Sequence, residues 1–481
     1  MRRELFSLEQ LKRHAITLAG QHEIDPRRGP DKLLPRLADN ARVLQAVYDV
    51  VADTSGGQPV DAAEAWLLDN FYLIEQQIAL ARRYLPQGYS RQLPRLAGGQ
   101  SAGFPRIYDL ALELIVHMDG RVDRDNATQF IALYQTVEPL KLGELWAFPI
   151  MLQLALLENL RRVGLHIARR REERETAITW ADRMLETVER EPKQLIQLLA
   201  EFANADVPLT APFVEEFYAR LQAQGPAMAF VQTWVEQRLL EQGVTATQLS
   251  EVAARRAAAN RISIANSIGS LHFVGTMDWK NYVESLSVVE QILSGDPAGM
   301  YAGQDFDTRD RYRHVIEDLA RNCPCNEPEV ARKAVALARE SAERLSVDDR
   351  SAHVGYYLID RGQRLLERAI DCRKSRAPRL GRNWRLIFYL APILMLTACV
   401  EWLALSPLGG FAAEDWRCWL FAITAAIGGS MPAVALVNLL VTHRLPPRAL
   451  PRLDFSKGIP DAHRTMVVVP TLLSRPQEVD D

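Results

Sequence analysis

Two Asp-x-Asp triplets are the residues of this chain whose type and spacing could do chemistry: Asp123-Arg124-Asp125 and Asp305-Phe306-Asp307. Paired carboxylates of this kind can hold Mg²⁺ or Mn²⁺ against the diphosphate of a nucleotide. Both triplets, however, stand in loops that open helical patterns, where an Asp accepts hydrogen bonds from the first free backbone N–H groups of the helix. We therefore interpret both triplets as helix caps rather than metal sites.

Other motifs that carry chemistry are missing from the sequence. It contains no P-loop, no dinucleotide-binding GxGxxG fingerprint and no HExxH zinc motif. No two of the nine histidines stand three or four residues apart, so no helical metal pair is expected. The Gly-rich run Gly98–Gly103 is preceded by no strand and followed by Pro105, which indicates a plain loop. The sequence therefore predicts no catalytic, cofactor-binding or metal-binding residue.

The cysteines are few and odd in number. Cys323 and Cys325 form a Cys-Pro-Cys pair with no second pair or histidine cluster nearby, whereas a structural metal site needs about four ligands. The other three are Cys372, Cys399 and Cys418. Such a sparse set is not a disulfide framework and is typical of a reducing compartment.

Length and charge limit the class of protein. The 481 residues exceed what one hydrophobic core usually supports, which predicts two or three structural units. Lys and Arg number 57 against 60 Asp and Glu, a net charge of −3, so we expect no nucleic-acid partner. The first residues hold no apolar core of secretory length, so we expect no cleaved signal peptide and a cytoplasmic N-terminus.

Helical periodicity runs through residues 1–380. Between Trp66 and Leu85 the apolar residues advance by three and four positions, which predicts one buried stripe. Its members are Leu67, Phe71, Ile74, Ile78, Ala81 and Leu85. A second pattern follows Asp278, a plausible N-cap. Its apolar residues are Tyr282, Leu286, Val289 and Leu293.

The stretch Glu144–Val163 is apolar on most sides until Glu158, so we expect it to form the centre of the helical core. Pro149 is awkward in the interior of a helix, and we expect it to lie in the helix's first turn. Residues 167–176 are nearly all charged, and they place a boundary between two helical subdomains, 1–170 and 171–380. The alternative is one solvated helix that continues through them.

Two hydrophobic segments, residues 386–405 and 419–441, reach membrane-spanning length. At about 1.5 Å per residue, twenty helical residues cross a hydrocarbon core of about 30 Å. The first segment holds one charge, Glu401, near its end, and the second holds none. Buried helices of soluble proteins rarely run this long without a polar face, so we predict a transmembrane hairpin over residues 386–441.

Basic residues flank both outer ends of this hairpin. Six stand between positions 373 and 385 and four between 444 and 457, whereas the connecting loop has one Arg beside Glu414 and Asp415. By the positive-inside rule, both ends should face the cytoplasm. Small residues mark one face of the second segment, which we expect to pack on the first segment. They are Ala422, Ala425, Ala426, Gly429 and Ser430.

Beyond the hairpin the pattern changes. Thr465–Leu473 is a short apolar run rich in valine, typical of a buried strand in an α/β sheet. A single strand cannot satisfy its own backbone hydrogen bonds. We therefore interpret residues 448–481 as the start of an incomplete α/β domain with an orphan strand. The expected fold class is mainly α.

Several segments in order resemble the cyclic β-1,2-glucan synthases of bacterial envelopes. They include WLLDNFYLIEQQI (66–78), GFPRIYDLALELIVHMDGRVD (103–123), LGELWAFPIMLQLALLENLRR (142–162), SIANSIGSL (263–271), DPAGMYAGQDFDTRDRYRHVIEDLAR (296–321) and LPRLDFSKGIPDAHRTMVVVPTLL (450–473). The likeness covers essentially the whole chain. Residues 450–473 resemble the beginning of that family's transferase domain.

The resemblance implies an inner-membrane protein whose cytoplasmic transferase domain polymerises glucose from UDP-glucose. It implies that this chain matches only the helical region, the first membrane hairpin and the start of the transferase. The divalent metal and UDP-glucose then belong to a complete synthase, and no catalytic residue carries over to this chain. The expected localisation is the bacterial inner membrane, multi-pass, with both termini cytoplasmic.

Two interpretations of the function follow. In the first, the chain is the membrane-anchored part of a synthase, a scaffold or regulator that is inactive alone. Its partners are the bilayer and the missing transferase part. In the alternative, it is a stand-alone inner-membrane adaptor or a split subunit that binds a partner protein through its helical domain. Whether the chain is itself an enzyme stays open at this point.

Overall fold

The computed structural model is mainly helical and describes residues 4–25, 27, 29–53, 62–85, 88–222, 226–372, 382–406, 416–444, 450–456 and 458–465. The chain divides into two compact units, Met1–Val288 and Val289–Asp481. The described residues contain one sheet, in which β1 (Ile24–Asp25) pairs antiparallel with β2 (Arg95–Leu96). The mainly α fold class predicted from the sequence is confirmed.

Side-chain caps set the starts of several helices in the first unit. Ser7, Asp123 and Thr245 each accept a hydrogen bond from the backbone three residues on, while the side chain there reaches back to the cap. Within the described residues the helices of this unit are α1 (Leu8–Gln21), α2 (Leu33–Ala52), α3 (Ala62–Tyr84), α4 (Arg106–His117), α5 (Arg124–Gln135), α6 (Leu142–Arg190), α7 (Leu195–Asn204), α8 (Ala211–Leu221), α9 (Pro226–Glu241), α10 (Ala246–Thr276) and α11 (Trp279–Leu286).

Helix α6 is the centre of the main core, as its apolar sequence predicts. From Leu145 to Leu160 nearly every side chain is buried, packed among α2, α3, α4 and α10. The expectation for Pro149 is wrong, because α6 begins at Leu142 and Pro149 lies in its interior. The helix starts earlier because Glu144 accepts the Lys141 N–H at 2.9 Å, and burial on all sides offsets the backbone hydrogen bond that proline removes.

Of the two apolar patterns predicted from the sequence, the first lies in one buried stripe and the second is divided between two helices. All members of the predicted stripe on α3 and just after it are buried in the main core. Asp278 caps α11 as predicted, by accepting from the Lys280 and Asn281 N–H groups. The helix after it is interrupted at Ser287, however, and the pattern continues in a separate helix, Val288–Leu293.

The charged run 167–176 lies inside α6, a continuous helix of 49 residues. The run is therefore helical throughout, as the alternative interpretation of one continuous helix predicted. The second half of α6 packs with α7, α8 and α9 around a smaller apolar cluster that includes Met184, Phe202 and Phe217. The proposed subdomain boundaries remain a prediction.

The second unit starts with a small helical bundle. Its described helices are α12 (Val288–Leu293), α13 (Phe306–Asn322), α14 (Glu327–Arg344), α15 (Gly355–Ile359), α16 (Gln363–Ala369), α17 (Arg382–Leu405) and α18 (Trp416–Arg444). A disulfide joins Cys323, after α13, to Cys372, after α16. The sequence did not predict this bond, because the fold brings together two residues that are 49 positions apart.

Helices α17 and α18 form the predicted hairpin, and each is long and apolar enough to cross a membrane, over Leu386–Leu403 and Trp419–Arg444. Tyr389 donates a hydrogen bond to Asn438 Oδ1 at 2.8 Å across the pair. Of the small residues predicted to pack on the first segment, Gly429 lies against α17. An ideal Cβ built on Gly429 would lie 3.0 Å from Val400 Cγ1.

Replacing Gly429 with leucine should push the two helices apart, because the added side chain would meet Val400 on α17. We expect a cost of about 1–3 kcal/mol in hairpin stability, as for other overpacked sites. Gly428 is the matched control, since nothing lies within 4 Å of its ideal Cβ. Unfolding by SDS titration of the membrane-reconstituted protein measures both variants. Equal stability of Gly429→Leu and Gly428→Leu would contradict the proposed contact.

The segment after α18 returns to the helical bundle of the same unit. Leu453 forms an antiparallel bridge with Gln304. The Asp305 N–H donates to the Arg452 carbonyl at 2.9 Å, and the Asp454 N–H donates to the Gly303 carbonyl at 2.9 Å. The predicted strand at 465–473 lies outside the described residues except for Thr465.

Candidate functional site

The most concentrated set of ionisable side chains with catalytic or metal-binding potential lies on one face of α4. Asp109, Glu113 and His117 follow one another at intervals of four residues, so they share that face. Helix α1 brings His14 and its C-cap His22 against them. Five such groups therefore meet within the first unit, where four of their side chains are at most 13% exposed and that of His14 is 22% exposed.

Glu113 lies between two imidazole rings. Its Oε2 atom is 2.9 Å from His14 Nε2 and 3.2 Å from His117 Nε2. On its other side, His117 Nδ1 lies 2.7 Å from the carbonyl oxygen of Glu4. Phe6 stacks on the His117 ring at a centroid distance of 3.8 Å. The residues before α1 therefore cover this group and fix the orientation of the His117 ring.

His22 connects two other side chains. Its Nε2 lies 3.1 Å from Asp109 Oδ2, and its Nδ1 lies 3.0 Å from the Tyr134 hydroxyl. A carboxylate can only accept, so Nε2 carries a hydrogen, and in the neutral ring Nδ1 then accepts from the hydroxyl. Burial raises the pKa of Tyr134 to about 12, against the opposing charge of Arg106, so the hydroxyl keeps the proton it donates.

The start of α4 is held by a buried ion pair. Arg106 donates from Nε to Glu144 Oε1 at 3.0 Å and from Nη2 to Oε2 at 2.6 Å, while Glu144 itself is fully buried. Burial alone would lower the pKa of Arg106, but Glu144 and the neighbouring acidic groups raise it above its ordinary value. Arg106 therefore stays charged, and its two hydrogen bonds to Glu144 fix α4 against α6.

A cavity of about 240 Å³ opens beside these side chains. His22, Asp109 and Glu113 line it from one side, and residues 98–101 line it from another. The Gly-rich run follows the two-residue strand β2, contrary to the expectation that no strand precedes it, but it is itself a loop as predicted, with positive φ at Gly99 and Gly103. It also forms a wall of this cavity, which the sequence did not indicate.

The sequence-predicted carboxylate triplets are not part of this group. Asp123 caps α5 and Asp305 caps α13, so the capping interpretation is confirmed for both triplets. The sequence analysis did not predict the histidine–carboxylate group, because it tested only spacings between histidines. The four-residue spacing of Glu113 and His117 on α4 could have indicated part of the group. His14 stands 99 residues before Glu113, so no local pattern could have included it.

Comparison with known proteins gives one informative relationship. The chain is 30% identical over 493 aligned residues to the cyclic beta-(1,2)-glucan synthase NdvB of Rhizobium meliloti (strain 1021), and the alignment covers 100% of this chain. The chain spans about 17% of the length of that relative. No family model matches it. The resemblance inferred from its segments is thus confirmed, and the chain is a homologue of part of a cyclic β-1,2-glucan synthase.

Proposed function

We propose that the chain is the membrane-anchored, non-catalytic part of a cyclic β-1,2-glucan synthase, in which the helical bundle of the second unit positions the start of the transferase. The family relationship supports glucan synthesis from UDP-glucose as the activity of the complete protein. Within the described residues, Asp123 and Asp305 of the two Asp-x-Asp triplets are engaged as helix caps, which supports a role other than nucleotide binding for them. Its partners are then the bilayer and the transferase part.

The observation that supports this role most directly is the contact between residues 452–454 and residues 303–308. Two backbone hydrogen bonds, at Asp305 and Asp454, and one from the Arg452 N–H to Thr308 Oγ1 at 3.1 Å hold the two segments together. Arg452 Nε also lies 3.3 Å from Asp305 Oδ2. The hairpin lies between these two segments in the sequence, so their contact supports a topology in which both ends of the hairpin lie on one side of the membrane.

The cytoplasm is the side that we propose for this contact. Ten basic residues flank the outer ends of the hairpin, against one in its loop, and the positive-inside rule counts charges of this kind. The Cys323–Cys372 disulfide argues the other way, because cytosolic thiols are kept reduced. The bundle also has, among its described residues, an apolar core of sixteen buried residues that contains neither cysteine, so its fold does not rest on this bond alone.

The function is tested by incubating the purified 481-residue protein, in lipid nanodiscs, with UDP-glucose and Mg²⁺ or Mn²⁺. We expect no UDP release above the buffer background, because the catalytic groups of the family lie outside this chain. A complete family member prepared in the same way is the positive control. Release of UDP by the 481-residue protein would overturn the proposal of a non-catalytic part.

The contact between residues 452–454 and residues 303–308 can be tested separately in the same preparation. Cysteines replacing Gln304 and Leu453 should form a disulfide under mild oxidation, because bridged antiparallel residues have Cα atoms about 4.5–5.5 Å apart. Peptide mass spectrometry separates this bond from those of the native cysteines. Lys333→Cys with Leu453→Cys is the control pair. Equal cross-linking of the two pairs, or none in either, would contradict the contact.

A further inference from the structure

We propose that His14, Glu113 and His117 bind a zinc ion. Their three candidate ligand atoms, His14 Nε2, Glu113 Oε2 and His117 Nε2, lie within 4.8 Å of one another. Two nitrogens or oxygens bound to one tetrahedral zinc at about 2.0–2.1 Å are separated by about 3.4 Å. The carboxylate oxygen is already 2.9 Å and 3.2 Å from the two nitrogens, so small side-chain shifts suffice.

The hydrogen positions on His117 point to a cation at this place. Its Nδ1 faces the Glu4 carbonyl oxygen at 2.7 Å, and a carbonyl only accepts, so Nδ1 carries a hydrogen. A neutral imidazole has no second hydrogen, which leaves the lone pair of Nε2 directed at the Glu113 carboxylate 3.2 Å away. Two lone pairs in contact repel each other. Either a proton or a metal ion must lie between these two atoms.

A metal ion explains more of the arrangement than a proton does. The same Glu113 oxygen also contacts His14 Nε2, so two imidazole nitrogens converge on one carboxylate oxygen. The bond from His117 Nδ1 to a backbone carbonyl is the outer-shell contact typical of metal-binding histidines, because it fixes the tautomer that leaves Nε2 free. The stacked Phe6 ring restricts access of water to the His117 side of the group.

The donor set selects the kind of ion. Two imidazole nitrogens and one carboxylate oxygen suit zinc and the neighbouring transition metals, whereas Ca²⁺ and Mg²⁺ prefer oxygen donors alone. Three protein ligands leave a fourth tetrahedral position for water. Glu113 also lines the 240 Å³ cavity, which provides space for that water. The bound ion would join α1 and the residues before it to the end of α4.

The test is zinc binding by the full 481-residue protein after removal of metals with a chelator. Competition with a chromophoric chelator should give one tightly bound zinc per chain. His117→Gln and Glu113→Gln should each weaken that binding by at least about tenfold, since loss of even an outer-shell partner costs about 10–100-fold. Cobalt bound in place of zinc should give the visible absorption bands of a low-coordinate site, and these should be lost in both variants.

Two controls separate this site from other zinc-binding groups of the chain. His272→Gln removes an exposed histidine and should leave the affinity unchanged. Cys325→Ser should do the same, which excludes the thiols near the Cys323–Cys372 bond. Circular dichroism confirms that each variant is folded. Absence of a tight zinc, or unchanged binding in both His117→Gln and Glu113→Gln, would overturn the proposal.

Discussion

Replacing Glu144 with glutamine should lower the stability of the first unit by about 3–5 kcal/mol, the cost of removing one partner of a buried ion pair. Glu144 is fully buried, and Arg106 is 2% exposed. The variant keeps the shape of the side chain but leaves the Arg106 guanidinium charged inside the protein. Its remaining carboxylate partner is Glu138, at 3.3 Å, on the surface.

Hydrogen exchange of the backbone amides in α4 and at the start of α6 measures this loss locally. A cost of 3 kcal/mol corresponds to exchange that is more than about 100-fold faster, where exchange follows the opening equilibrium. Glu138→Gln is the matched control, because it removes the 48% exposed partner of the same guanidinium and should cost at most about 1 kcal/mol. Similar exchange in Glu144→Gln and Glu138→Gln would show that the buried pair does not hold α4.

Replacing both partners distinguishes an unpaired charge from lost packing. Arg106→Met with Glu144→Leu removes both charges and keeps apolar volume, so most of the stability should return. A double variant that is as unstable as Glu144→Gln would mean that the hydrogen bonds themselves, including the one from Lys141 to Glu144, supply the stability.

The features that the sequence predicted correctly depend on local signals. The apolar stripe of α3 follows from periodicity within one segment. The buried start of α6 and the two membrane-length helices follow from the length and apolar composition of their segments. The caps Asp123, Asp278 and Asp305 follow from one side chain and the backbone beside it. Each of these signals lies within about twenty residues, so no tertiary information is needed to read it.

The features that were missed depend on contacts between distant segments. His14 and Glu113 meet across 99 residues, and Cys323 and Cys372 across 49. Pro149 was misplaced for a related reason, since burial of α6 by four other helices outweighs a local rule against proline. The candidate site is built almost entirely from such contacts. The pair Glu113 and His117 was the part of the site that a local spacing could have indicated.

Three of the segments that resemble the glucan synthases meet at the turn after α4. They are residues 103–123, 142–162 and 263–271. Ser270 donates to the Gly120 carbonyl at 2.8 Å, and the Val122 N–H donates to Ser270 at 2.8 Å. Asn159 on α6 donates to both Ser263 and Ser267 on α10. Small hydroxyl side chains on α10 therefore let the turn approach closely.

Gly120 is the residue on which this turn depends most, and Gly120→Ala should cost about 2–5 kcal/mol. Its φ of +77° is a left-handed conformation, which costs a residue with a Cβ about 1–2 kcal/mol. The added Cβ would also clash with Ser267 Oγ and lie 3.0 Å from Asn159 Nδ2 and 3.2 Å from the Ser263 carbonyl oxygen. Overpacking of this kind adds about 1–3 kcal/mol.

Gly269→Ala on α10 is the matched control for this prediction. Nothing lies within 4 Å of its ideal Cβ, so the change should raise helix stability by about 0.5–1 kcal/mol. Hydrogen exchange at residues 118–122 and along α10 should therefore become faster in Gly120→Ala and slower in Gly269→Ala. Adding Ser267→Ala to Gly120→Ala removes the nearest clash but not the backbone strain, so only part of the loss should return. Full recovery would mean that crowding alone requires glycine, whereas no loss in Gly120→Ala would mean that the turn can move away from α10.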